Sequence, residues 1–164
     1  MRKFCLLMFV CLLLAGCGEQ PVMETVADEL LPVEEAAVRQ IRLELPEEAV
    51  ADVWESGEGE YYRCDGYDLL LQTLPAGDLG ATVKSVSGYD MTRLTLITTH
   101  PQDLKRYDFV WSAMAQEGEL VARSAILDDG NYHYVLTVLA PASDVHRLEE
   151  DWEGLFQSFS LESY

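Results

Sequence analysis

Positive charge is scarce in this chain. Eleven lysines and arginines stand against 29 aspartates and glutamates, for a formal charge of −18. Such a surface repels phosphate backbones and anionic lipids, so nucleic-acid binding and electrostatic adhesion to a membrane are not expected. Cysteine is thin as well: Cys5, Cys11, Cys17 and Cys64 are the whole set, and no two have metal-ligand spacing. Long apolar runs are missing after residue 15. The one run present, Phe4 to Ala15, would reach about 18 Å as a helix against a hydrocarbon core of roughly 30 Å, too short for a permanent span. Recurrent catalytic signatures are missing too. There is no HExxH, no Gly-x-Ser-x-Gly elbow, no phosphate loop and no GxGxxG turn, so no enzymatic activity and no cofactor are expected.

What is present begins with an address. Met1-Arg2-Lys3 is basic, residues 4–15 (FCLLMFVCLLLA) carry no charge, and small residues follow. That is the tripartite layout of a secretory signal. Leu14-Ala15-Gly16-Cys17 resembles the bacterial lipobox. The resemblance implies that Cys17 receives a diacylglyceryl group and becomes the new N-terminus. Residues 1–16 are then a lipoprotein signal peptide, and the expected location is the extracytoplasmic face of the cell membrane, held by the lipid. Arg2 and Lys3 leave with the signal, so nine cations remain against 29 acids and the charge becomes −20. Solubility accounts for most of that charge; a functional reading is a cationic partner or loosely held metal ions. Only Cys64 remains unmodified, so no internal disulfide forms and the core must supply the stability.

Residues 17–38 are the lipidated cysteine and an acidic, proline-bearing stretch, expected to be a tether. Residues 39–164 read as one globular α+β domain. Gln40 to Leu45 alternates like a strand, and Pro46-Glu47-Glu48 reads as a helix opening, with Val50, Val53 and Trp54 on one face. Tyr61 to Leu74 reads as a hairpin turning at Asp65-Gly66. Asp78 can cap a helix with Leu79, Val83 and Val86 on one side, ended by Gly88. Arg93–Thr99, Lys105–Ala115, Glu119–Asp128 and Tyr132–Ala140 are strand candidates. The last three are joined by turns at Glu117-Gly118 and Asp129-Gly130, an antiparallel meander. Val135 and Leu139 make the last strand apolar on both faces, so helices are expected on both. After Pro141, Ser143-Asp144 can cap a final helix with Val145, Leu148, Trp152, Leu155 and Phe156 in one stripe. The end, Ser158-Phe159-Ser160-Leu161, is expected to be extended or frayed.

This order of elements resembles the Mog1/PsbP-like α/β/α sandwich, an antiparallel sheet between helices. The resemblance is carried by Tyr132-His-Tyr-Val-Leu-Thr-Val-Leu-Ala-Pro141 and Leu155-Phe-Gln-Ser-Phe159, and spans roughly residues 40–161. Clostridial-type surface lipoproteins of unassigned function look similar in layout. The family implies a binding or assembly role more often than an enzyme, and no functional residue carries over.

Candidate chemistry outside the anchor is sparse. His100, His133 and His146 lack any paired spacing and read as structural or solvated residues rather than metal ligands. Asp128-Asp129-Gly130-Asn131 lacks the late glutamate of a calcium loop and reads as a turn. Cys64, in a strand-like run, reads as a small buried hydrophobe. Tyr61, Tyr62, Tyr67, Tyr89, Tyr107, Trp111, Tyr132 and Tyr134 could line a groove, with core packing as the default. The resulting expectation is a membrane-anchored, non-enzymatic binding or assembly-accessory lipoprotein with an envelope protein as partner. The alternatives are a small-ligand or metal-binding sensor, or an enzyme with an unrecognised active site.

Overall fold

The computed structural model describes residues 36–52 and 59–162. Cys17, residues 1–16 and the stretch 17–35 lie outside the described residues. So do Val53 and Trp54 of the helix expected after Pro46.

The strands are Ile41–Arg42 (β1), Val50–Asp52 (β2), Glu60–Cys64 (β3), Tyr67–Pro75 (β4), Ile97–Thr99 (β5), Lys105–Ala115 (β6), Gly118–Asp128 (β7), Tyr132–Pro141 (β8) and Ser160–Leu161 (β9). The helices are Leu79–Ser87 (α1) and Val145–Ser158 (α2), with 3-10 turns at Met91–Arg93 and Pro101–Asp103. Seven strands form one antiparallel sheet in the order β2-β3-β4-β8-β7-β6-β5, and β1 pairs with β9 beside it. The meander β6–β7–β8 is present, and β8 joins it to the β3–β4 hairpin through eight paired positions, from Asp68↔Leu139 to Pro75↔Tyr132. The hairpin turn carries Gly66 at φ 86°, a backbone conformation that costs other residues strain.

Side-chain alternation splits the sheet into two apolar faces. Leu69, Leu71, Leu127, Leu136 and Val138 pack under Leu148, Trp152, Leu155 and Phe156 of α2. Phe109, Ile126 and Val135 pack on the opposite face under Val83 of α1, with Leu94 and Leu96 beside them. A sheet apolar on both sides thus receives a helix on each. Asp78 caps α1 through its side chain, accepting from the Gly80 N–H at 3.0 Å. Gly88, at φ 77°, ends it by donating its N–H to the Lys84 carbonyl. Asp144 stands at the start of α2 as expected, but its side chain makes no cap bond.

Four local expectations are corrected. Pro46 begins a turn closed by the Ala49 N–H at 3.0 Å, not a helix, and the chain then enters β2. Pairing of Val50, Ala51 and Asp52 with Arg63, Tyr62 and Tyr61 outweighs the helix-opening signal of Pro46-Glu47-Glu48. The strand expected over 40–45 shrinks to two residues, because its partner is the short chain end at Ser160–Leu161. The strand expected over 93–99 begins only at Ile97, since Leu94 and Leu96 turn into the α1-side core. The β6–β7 turn lies at Gln116-Glu117, with Gly118 already paired to Ala115.

His133 is buried on the α1 face, where its Nδ1 lies 2.8 Å from the Thr82 hydroxyl. Removing that hydroxyl leaves a buried ring nitrogen without this partner. Thr82→Val is therefore expected to lower stability by about 1–3 kcal/mol, read as a drop in the urea midpoint at unchanged m-value. An unchanged midpoint would show that the pair contributes nothing.

Candidate functional site

The sheet is not covered evenly. β6 is eleven residues long, but β5 pairs only with Arg106, Tyr107 and Asp108. From Phe109 to Ala115 the outer edge of β6 has no strand partner among the described residues. The direction of that edge is fixed by one bond: the Tyr89 hydroxyl, from the chain after α1, donates to the Ser112 carbonyl at 2.8 Å. Backbone polar groups of alternate residues point the same way, so Val110 and Met114 turn their N–H and C=O outward as well.

The side chains of Val110 and Met114 lie on the α2 face of the sheet, beyond the reach of α2. Val110 is 58% exposed, Met114 80%, and Ile97 of β5 63%. Together they make an apolar strip on an otherwise acidic surface. A groove of about 600 Å³ runs beside it, bordered by Arg93, Leu94, Ile97, Asp108, Val110 and Arg123.

Its charged groups are held in place. Arg106 grips Asp108 through both guanidinium arms, at 2.8 and 3.0 Å. Arg123 lies 3.8 Å from the same carboxylate and stacks on the Phe156 ring of α2, its guanidinium carbon 4.2 Å from the ring centre. Arg93 stacks on Tyr89 at 5.4 Å. Stacking fixes both arginines without consuming their hydrogen-bond capacity. With Arg106 and Arg123 at the Asp108 carboxylate and Arg93 also bordering the groove, the groove is locally positive. Chemically, it offers an open backbone edge, apolar contacts at alternate positions and guanidinium groups for a carboxylate. These are the elements that receive an extended peptide as an added strand.

Most residues singled out in the sequence lie elsewhere. His146 is solvent-exposed on α2, 3.6 Å from Glu149, and His100 is exposed ahead of the second 3-10 turn. Asp128 and Asp129 spend their carboxylates on the N–H groups of Gly130, Asn131 and Tyr132, at 2.8–2.9 Å, which makes 128–131 a hairpin turn. Among the described residues no three His, Cys, Asp or Glu side chains gather into a metal site. Cys64 is half-buried, and burial pushes its thiol up. The aromatic residues do not form one groove, because strand alternation sends them to opposite faces. Tyr67 and Tyr134 are core residues under α2. Tyr132 donates its hydroxyl to the Ala36 carbonyl. Tyr61 and Trp111 border a cavity on the α1 side. Sequence reasoning missed Ile97, Val110 and Met114, and the arginines beside them. The available signal was Val110 and Met114 lying out of phase with Tyr107, Phe109 and Trp111 on one strand.

No helix among the described residues is long and apolar enough to cross a membrane. No protein-family model matches the sequence, and no curated protein matches it either. Solved structures do. The chain is similar to the cyanobacterial PsbP of Synechocystis, with a TM-score of 0.55 at 8% identity, over 77% of this chain and 95% of that one. It is similar to a Bacteroides thetaiotaomicron protein, with a TM-score of 0.52 at 8% identity, over 75% of this chain and 45% of the other. The Ran-binding protein Mog1p of Saccharomyces cerevisiae aligns with a TM-score of 0.48 at 12% identity, over 74% and 89% of the two chains. At such identities the likeness concerns the fold alone: an antiparallel sheet between helices, the Mog1/PsbP-like α+β sandwich.

Proposed function

We propose that this chain is a lipid-anchored, extracytoplasmic accessory module that binds an extended segment of an envelope protein along the open edge of β6. The lipobox-like Leu14-Ala15-Gly16-Cys17 supports the location. The observation that carries the binding role is the groove at β6, where exposed Val110 and Met114 sit on an unpaired edge beside Arg93 and Arg123. An apolar strip on a sheet edge invites strand addition, and proteins without such a use for an edge blunt it with charge or bulges. The locally positive groove selects a segment bearing both apolar residues and a carboxylate.

A photoreactive residue placed at position 114 of the full chain tests this in native membranes. A discrete adduct is expected there and none from the same probe at Glu149, on the solvent face of α2. Val110→Asp should abolish the adduct while changing stability by no more than about 0.5 kcal/mol, as for other exposed positions. Equal labelling from both positions, or no adduct at 114, would overturn the edge as the binding site.

A further inference from the structure

On the other face of the sheet, a cavity of about 370 Å³ lies between α1 and strands β3, β4, β6 and β8. That volume is at the small end of ligand pockets, which run roughly 300–1,000 Å³. Its apolar walls are Leu70, Val86, Leu139 and the Trp111 ring.

The polar groups have a definite order. Trp111 Nε1 can only donate, and it donates to the Ser124 hydroxyl at 3.0 Å. Ser124 is fully buried and lies 2.9 Å from the Thr137 hydroxyl. Either hydroxyl of this pair can be the donor, because the Ser124 oxygen has lone pairs enough to accept from both Trp111 and Thr137. Thr137 borders the cavity, so its hydroxyl brings the remaining hydrogen-bonding capacity of the chain to the open space. The floor of the cavity is therefore a hydroxyl able to hydrogen-bond an oxygen of a ligand. The same chain of bonds pins the indole by its Nε1 edge beside the cavity.

The mouth has the opposite character. Asp68 lines it, with the Tyr61 hydroxyl hydrogen-bonded to the Asp68 carboxylate. Arg63 is the cross-strand neighbour of Asp68; its guanidinium hydrogen-bonds the Tyr61 hydroxyl and pairs with Asp52. Two carboxylates thus share one guanidinium, and among the described residues no lysine or arginine lines the cavity. A hydroxyl floor, an aromatic wall and a net negative mouth fit one kind of ligand. We propose that the cavity binds a small aryl amine, its ammonium at Asp68, its ring against Trp111 and an oxygen at Thr137. Attraction of a cation to both carboxylate and indole makes charge the discriminating feature. This site is independent of the β6 edge, which opens on the α2 face.

Calorimetric titration of the full chain in detergent with three matched probes tests the assignment. Tyramine, tyrosol and phloretate share a phenol ring and differ in carrying an amine, an alcohol or a carboxylate. Saturable binding of tyramine is expected, with tyrosol at least about tenfold weaker and phloretate weaker still. Asp68→Asn should bring tyramine down to the tyrosol level. Ser85→Trp, an exposed position on the rim, should block all binding without disturbing the core. Equal affinity for the three probes, tyramine binding that survives Ser85→Trp, or no saturable binding of tyramine would each overturn the proposal.

Discussion

Trp152→Ala is expected to remove about 3–5 kcal/mol of folding stability, a large share of the 5–15 kcal/mol typical of a domain. Trp152 is 5% exposed and sits in the stripe Leu148, Trp152, Leu155, Phe156 that faces β4, β8 and β7. The layer beneath contains large, fully buried side chains such as Leu69 and Leu136. A hole the size of an indole cannot close there without moving the whole helix. The Trp152 Nε1 is itself buried without an acceptor, so Trp152→Phe forfeits no hydrogen bond and should cost less than about 1.5 kcal/mol. Denaturant melts of the two variants provide the check. A loss below about 1 kcal/mol for the alanine variant would mean that this stripe is a contact surface and not the core.

Where the sequence is legible, one element carries its own signal. The α2 stripe has a period near 3.6 over 14 residues, and Asp78 and Gly88 bracket α1 with chemistry that only helix ends need. Asp65-Gly66 and the alternation in β6, β7 and β8 are equally local. The failures share one cause. β1 and β9 have two residues each, and Ile41 finds its partner in Leu161, 120 positions further along the chain. Val50–Asp52 likewise becomes a strand only because the edge of β3 is available. Local preference decides little in elements that short.

The candidate site was hidden for a different reason. Alternation in β6 marks two faces, but it does not say how far the covering helix reaches. A sheet of seven strands at about 4.8 Å spacing is roughly 29 Å across, while a helix with its side chains is about 10–12 Å wide. One helix on the α2 face therefore leaves part of the sheet bare. Which part depends on where the chain enters α2: Pro141 ends β8, so α2 returns over β4, β8 and β7 and leaves β5 and β6. Val110 and Met114 are exposed by that topology and not by any local motif. A similar limit holds for the hydrogen-bonded chain Trp111–Ser124–Thr137, whose members come from three different strands.

Cys17→Ser is expected to abolish lipid incorporation and release the protein from the membrane. The thiol is the only nucleophile in Leu14-Ala15-Gly16-Cys17 that can accept a thioether-linked lipid, and serine keeps the size while removing the sulfur. Each buried methylene contributes about 0.8 kcal/mol to membrane attachment, and one acyl chain alone holds only marginally, so loss of the diacylglyceryl group should be nearly all-or-none. Labelled fatty acid added to growing cells measures it: strong label in the wild type, none in the variant, with the variant in the soluble fraction. Equal labelling would remove the lipoprotein reading altogether. The thermal midpoint of the folded part should not change, because Cys64 is the only cysteine among the described residues and it belongs to β3. The adduct from position 114 separates anchoring from recognition. Confinement to a membrane raises the effective concentration of a partner without adding a contact. If the β6 edge meets its partner at the membrane, the released Cys17→Ser protein should lose the adduct in cells and regain it when purified membranes are added in excess. Failure to regain it would mean that the lipid itself is part of the recognition.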